Sequence, residues 1–128
     1  MTGDKSIKPT DAELEILNIL WENGPSTVKF VNEKMNERKA TGYTTTLKLM
    51  QIMAEKGILH RQRESRSHIY SAAYKKTDTQ LNMINKLARS MFGGSSVKLA
   101  VQALGNSKAS EEELREIKIL LEKIKNKQ

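Results

Sequence analysis

A chain of 128 residues with a net charge of +7 and no cysteine is long enough for one ordinary domain, or for two small units that share a core with a partner. Without cysteine there are no disulfides, thiol nucleophiles or thiolate metal sites, which fits a reducing, cytoplasmic setting. No apolar run approaches the roughly 18–20 residues needed to cross a bilayer, and MTGDKSIKPT lacks the apolar segment of a secretory signal, so neither membrane insertion nor export is expected.

Helical signals come first along the chain. In TDAELEILNILWENGP, Thr10 followed three residues later by Glu13 predicts a capping box. Leu14, Leu17 and Trp21, joined by Ile16 and Leu20, form an apolar stripe that Gly24 and Pro25 terminate. STVKFVNEKMNER predicts a second helix opened by Ser26 or Thr27, with Val28, Val31 and Met35 on one face. GYTTTLKLMQIMAEKG predicts a third, with Gly57 where a left-handed C-cap is expected. ILHRQRE and SHIYSAAY are then β-compatible runs flanking RESRS, which predicts a hairpin with Arg63 and Arg66 near its tip. Three helices followed by a two-stranded ribbon is the order of a winged helix-turn-helix, here over about residues 7–74.

Beyond the polar KKTD the pattern is helical again. Thr77 and Gln80 predict a second capping box ahead of QLNMINKLARSMF, where Leu81, Ile84, Ala88 and Met91 align. GGSS breaks that helix, SVKLAVQALG makes a short apolar one, and Ser110 with Glu113 predicts a third box before LREIKILLEKIK. In this last helix Leu114, Ile117, Leu121 and Ile124 recur at spacings of three and four. Lys123, Lys125 and Lys127 suit the negative end of its dipole.

The expected fold is therefore mainly α: a winged-helix domain over 1–75 and a three-helix unit over 76–128. Three short helices enclose little core by themselves. A second copy of the unit is the economical cover, giving a symmetric homodimer through Leu81, Ile84, Met91, Leu114, Ile117, Leu121 and Ile124. Packing against the chain's own N-terminal module is the alternative.

Charge is unevenly placed. Residues 1–37 hold 4 Lys or Arg against 7 Asp or Glu, residues 38–76 hold 9 against 2, and residues 77–128 hold 9 against 6. The middle third thus carries an excess equal to that of the whole chain, as a nucleic-acid binder requires where phosphates lie. Within it, the third helix opens on three threonines, which are poor helix formers. Thr46, Leu49, Met50 and Met53 keep spacing with the core, leaving Thr44, Thr45, Leu47, Lys48 and Gln51 on the opposite face.

The N-terminal half of a recognition helix enters the major groove, where short side chains let it sit deep. Hydroxyls there bond phosphates or base edges, a threonine methyl or Leu47 packs on a thymine methyl, Lys48 reaches guanine or phosphate, and Gln51 suits adenine. Tyr43 is placed to touch the backbone, and first-turn amides to face a phosphate. The plainer reading is that the threonines compete for the N-cap, a role only one can fill. On the ribbon, Arg63 and Arg66 are the candidates for the neighbouring minor groove or its phosphates, with Arg61 and His68 beside them. His60 and His68 have no metal-site partners in the sequence, so no metal or cofactor is expected.

TDAELEILNILWENGPSTVKFVNEKM, GYTTTLKLMQIMAEKGIL and RESRSHIYSA, with the later MFGG, resemble the penicillinase-repressor family of bacterial transcription regulators, the BlaI/MecI/CopY type. The resemblance runs over nearly the whole chain, and AEKGILHR leading into SRSHIYS is its most specific part. It implies a homodimer on an inverted-repeat operator of double-stranded DNA, with repression relieved by an upstream signal. In the β-lactam branch a membrane sensor metalloprotease triggers cleavage inside the dimerisation unit. The aligned segment here is VKLAVQALGN, around Gln102 and Ala103, and the usual Asn-Phe pair is absent. The metal-binding cysteines of the copper-responsive branch are missing as well. Leu47 departs from the polar residue often found at its position.

The expected function is a cytoplasmic, dimeric transcriptional repressor released by inactivation of its C-terminal dimerisation unit, with proteolysis as one route; the resemblance implies a link to antibiotic resistance. A winged-helix protein-interaction module and a ligand-sensing regulator with a pocket between the C-terminal helices are the rivals. No clustered nucleophile and base, glycine-rich phosphate loop or metal-ligand spacing points to an enzyme.

Overall fold

The structure is a computed structural model that describes residues 8–64 and 66–128; most of the N-terminal stretch read for a signal lies outside these. The elements run α1 (Asp11–Asn23), α2 (Val28–Asn36), α3 (Tyr43–Glu55), β1 (Leu59–Glu64), β2 (Ser67–Ala72), α4 (Lys76–Met91), α5 (Ser96–Gly105) and α6 (Glu111–Asn126). This is the six-helix, one-hairpin order expected from the sequence. The chain separates into two compact units, one ending at Ile84 and the other running from Asn85 to Gln128.

In the first unit, α1 and α2 each begin on a local cap. Thr10 caps α1 reciprocally with Glu13, and Gly24, at φ +80°, takes the conformation that ends it. Thr27, not Ser26, caps α2 through a bond from the Phe30 amide. Ser26 instead exchanges both backbone hydrogen bonds with Tyr70, at 2.9 and 2.8 Å. The wing therefore has a third, one-residue edge beside β2 that the sequence did not reveal. β1 and β2 pair antiparallel with Leu59 opposite Ala72 and Arg63 opposite His68. Gly57, at φ +80°, turns the chain from α3 into β1.

Ile16, Leu17 and Leu20 of α1, Val28, Val31 and Met35 of α2, Met50 and Met53 of α3, and Ile58, Leu59 and Tyr70 of the wing root form one buried cluster. Each large side chain removed from water there contributes about 1.5–3 kcal/mol before the entropy of ordering is subtracted. The indole Nε1–H of Trp21 donates to Tyr74 O at 3.0 Å, tying the end of α1 to the chain leaving the wing. The Tyr70 hydroxyl is buried without a hydrogen-bond partner among the described residues. Removing an orphaned buried hydroxyl relieves its desolvation cost. Tyr70→Phe should therefore leave stability unchanged or raise it by up to about 1 kcal/mol in urea unfolding; a clear loss would reveal a partner for that oxygen.

An ion pair with one buried partner ties α1 to the end of α3. Glu13 is only 2 % exposed, and its carboxylate accepts the Thr10 amide at 2.9 Å and Lys56 Nζ at 2.7 Å. Burial pushes its pKa up, but the Lys56 hydrogen bond, the Thr10 bonds and the lysine charge outweigh that and hold it below the ordinary 4.5. A depressed carboxyl contributes stability that is complete above its unfolded pKa and lost as pH falls through its folded one. Because the Lys56 side chain is half exposed, the pair itself contributes only about 1 kcal/mol. Lys56→Met does more harm, since it strands a buried carboxylate; the expected loss at pH 7 is about 1–3 kcal/mol. That deficit should narrow as the pH is lowered, because without Lys56 burial raises the Glu13 carboxyl and its protonation then relieves the stranded charge. A deficit independent of pH would rule out the carboxylate as its source.

The second unit buries little. Ala88 is covered, and α5 and α6 bury none of their residues. Gly93 and Gly94, both at positive φ, break the chain after α4. Ser95 caps α5, and Ser110 and Glu113 form the expected box on α6. The Thr77–Gln80 box does not form. The Thr79 amide already bonds Lys75 O at 3.0 Å, so the helix starts before Thr77, and Thr77 sits inside its first turn.

Candidate nucleic-acid interface

The third helix is about 20 Å long at 1.5 Å per residue, and its two faces differ sharply. Thr46, Met50 and Met53 are buried. Tyr43, Thr44, Thr45, Lys48 and Gln51 are exposed. Leu47, read from the sequence as fully outward, is half-buried and packs against the core at the edge of that face. Ile52, not singled out from the sequence, is 40 % exposed. It stands one turn beyond Lys48 and two beyond Thr45, and that spacing was the signal that could have found it.

The start of α3 is unusual in its capping. Gly42 stands at the N-cap, and no side chain bonds the first-turn amides. None of the three threonines caps the helix, so the plainer reading of the run fails. Thr46 serves the core instead, with a buried hydroxyl that accepts Asn32 Nδ2 at 2.8 Å. Thr44 and Thr45 remain outward, and no acidic residue lies in the first turn. The positive end of the helix dipole is therefore not offset locally.

On the hairpin, Arg61, Arg63, Arg66 and His68 are all exposed. The register places Arg61 opposite Tyr70 and Arg63 opposite His68. Paired residues share a face, so Arg61, Arg63 and His68 lie on the side that carries Leu59 and Tyr70 at the core end. Arg66 sits in the turn between the strands. The hairpin thus extends one side of the core outward as a cationic blade.

The apolar candidates of the C-terminal helices are largely uncovered. Leu81, Ile84, Met91, Leu114, Leu121 and Ile124 are 44–72 % exposed, and Ile117 is half-buried. Val97, Val101 and Leu104 add an exposed apolar row along α5 that was not singled out from the sequence. Gln102 and Ala103 are exposed within the same helix. No helix among the described residues is long and apolar enough to cross a membrane.

Three helices around one core, an outward third helix and a basic two-stranded wing define a winged helix-turn-helix protein. Comparison with known proteins narrows the class. The family model described as penicillinase repressor matches residues 9–123, and the chain belongs to that family. It is 22 % identical over 118 residues to the penicillinase repressor of Bacillus licheniformis, covering 92 % of each chain. It is 29 % identical over 87 residues to the transcriptional regulator BlaI of Mycobacterium tuberculosis, over 66 % of this chain. That match spans 63 % of the mycobacterial relative, just under two thirds of its length. The solution structure of the Bacillus licheniformis BlaI monomeric form in complex with the blaP half-operator is similar in fold to 57 % of this chain and to 89 % of its own, with a TM-score of 0.50 at 20 % identity.

Proposed function

We propose that this protein is a homodimeric transcriptional repressor that binds an inverted-repeat operator. In this reading residues 1–75 read DNA and residues 76–128 hold the two copies together. One observation carries it: the exposed face of α3 bearing Thr44, Thr45 and Lys48 belongs to the same small unit as the arginine-bearing wing. The half-operator bound by the Bacillus licheniformis relative is consistent with this use of the fold.

The first-turn amides of α3, left without a side-chain cap, suit a phosphate oxygen. Thr44, Thr45 and Lys48 then reach base edges, with Leu47 at the margin for a thymine methyl. Gln51 lies a turn deeper. Glu55, exposed at the far end of the helix, repels phosphate and confines contact to the N-terminal half. Arg63 and Arg66 follow the backbone of the adjoining groove.

A single module making a handful of phosphate contacts binds weakly at physiological salt, with a Kd of about 10⁻⁴–10⁻⁶ M. Two modules joined through the apolar faces of α4 and α6 gain effective concentration, and require half-sites about 34 Å apart. The wide exposed apolar surface of the C-terminal helices supports a second copy as its cover. Loss of that unit then releases DNA, and a membrane sensor metalloprotease acting around Gln102–Ala103 is one way to bring this about. Because that peptide lies within α5, cleavage there requires the helix to unwind first.

The test is a fluorescence-anisotropy comparison between a duplex selected by the protein from a random library and a scrambled duplex of equal length and composition. A repressor prefers the selected duplex by about 10³-fold or more. Equal, weak retention of both duplexes would instead fit a winged helix that docks a protein.

A further inference from the structure

The start of α3 is built from threonines and lacks a side-chain cap, yet it is held firmly from the neighbouring helix. Asn32 and Asn36 lie one turn apart on α2 and reach the same residue, Thr41, in the turn before α3. The Thr41 carbonyl accepts Asn32 Nδ2 at 3.0 Å and Asn36 Nδ2 at 2.9 Å. The Thr41 amide donates to Asn36 Oδ1 at 2.9 Å. Asn36 Nδ2 also donates to Asn32 O at 2.7 Å, and Asn32 Nδ2 to Thr46 Oγ1 at 2.8 Å. Asn36 thus bonds both backbone groups of Thr41, which fixes the orientation of its amide. Asn32 bridges the turn to a fully buried hydroxyl in the first turn of α3.

We infer that Asn32 and Asn36 are positioning residues for DNA reading, a clamp that sets the first turn of α3 at the angle from which Thr44, Thr45 and Lys48 meet bases. The inference rests on α3 being the DNA-reading helix. The clamp compensates for a local weakness. A first turn of threonines frays readily, and direct readout requires its side chains to be held within a fraction of an ångström. Neither asparagine needs to touch DNA for this role. The clamp bonds Thr41 and Thr46, and Tyr43, Thr44, Thr45 and Lys48 are the exposed residues of the first two turns on either side of Thr46. Anchoring Thr46 therefore fixes the rotation of the helix about its own axis.

Four variants test this in the full-length chain: Asn32→Ala, Asn36→Ala, Thr46→Val and Thr46→Ser. Each is titrated with the library-selected duplex and with the scrambled duplex over a range of salt. Loss of the clamp is expected to reduce the preference for the selected duplex by about tenfold, the size of one good base contact. Affinity for the scrambled duplex and the salt slope stay as in wild type, because no cation has been removed. Thr46→Ser keeps the hydroxyl and should retain the preference, whereas Thr46→Val should lose it. Amide hydrogen exchange should quicken at Thr46–Lys48 and stay slow at Met50–Met53. Asn36 is exposed, so Asn36→Ala carries the test if Asn32→Ala does not fold. An unchanged preference in Asn36→Ala beside a discriminating wild type overturns the inference alone, as does an equal loss of affinity for both duplexes. A wild type that does not discriminate overturns the DNA reading, and the inference with it.

Discussion

Ile117→Asp and Leu121→Asp are each expected to turn the protein into a monomer in solution and to weaken operator binding by about 10²–10⁴-fold, the range that linking two modules supplies. A carboxylate in an apolar contact surface has to be desolvated without a partner, which the association cannot offset. Leu121 is 55 % exposed in the single chain and Ile117 half-buried, so neither is needed for the core of the winged helix. The thermal transition of that core should be unchanged. Light scattering reads the association and anisotropy the affinity. Dimers that persist in both variants would move the interface away from α6, towards the exposed row of Val97, Val101 and Leu104 on α5.

Lys48→Ala should have the second-largest effect. Lys48 is exposed in the middle of the reading face, so its loss should leave the fold undisturbed. If it meets guanine acceptors, the loss is about 1–3 kcal/mol and falls mainly on the selected duplex. If it meets a phosphate, binding weakens on every sequence, and the slope of log affinity against log salt falls by about one unit. The two cases separate in a single set of salt titrations. Unchanged binding on both duplexes would mean that DNA meets another face of the molecule.

What was legible in the sequence was what local chemistry determines. Thr10 with Glu13 and Ser110 with Glu113 are three residues apart and bond each other as their spacing implies. The β-compatible runs on either side of RESRS placed the hairpin, because two such runs joined by a short polar turn pair locally. The failures involve partners distant in the chain. Ser26 looked like a helix cap but pairs with Tyr70, 44 positions later. Glu13 looked like half of a capping box, and its second oxygen proved to hold Lys56, 43 residues away. Asn32 and Asn36 were not singled out, since nothing local reveals that an amide will reach across to Thr41 and Thr46.

Thr77 shows the opposite error. Its spacing to Gln80 satisfied the capping pattern, but the helix starts at Lys76, two residues earlier than that pattern requires. Leu47 was misjudged by degree. Helical spacing placed it on the outward face, but its side chain packs against the core at that face's edge. On the candidate site itself, the exposure of Thr44, Thr45, Lys48 and the wing arginines was readable, because helical spacing and the hairpin place them away from the core. What holds those threonines in place was not readable.

The proposed repression has two chains lay their third helices into successive major-groove turns of one duplex. Hydroxyl-radical footprinting of the library-selected operator measures this directly. The expected result is two patches of equal protection related by a two-fold axis, with centres about 34 Å apart, both lost together in Leu121→Asp. A single patch, or protection that survives unchanged in that variant, would contradict it.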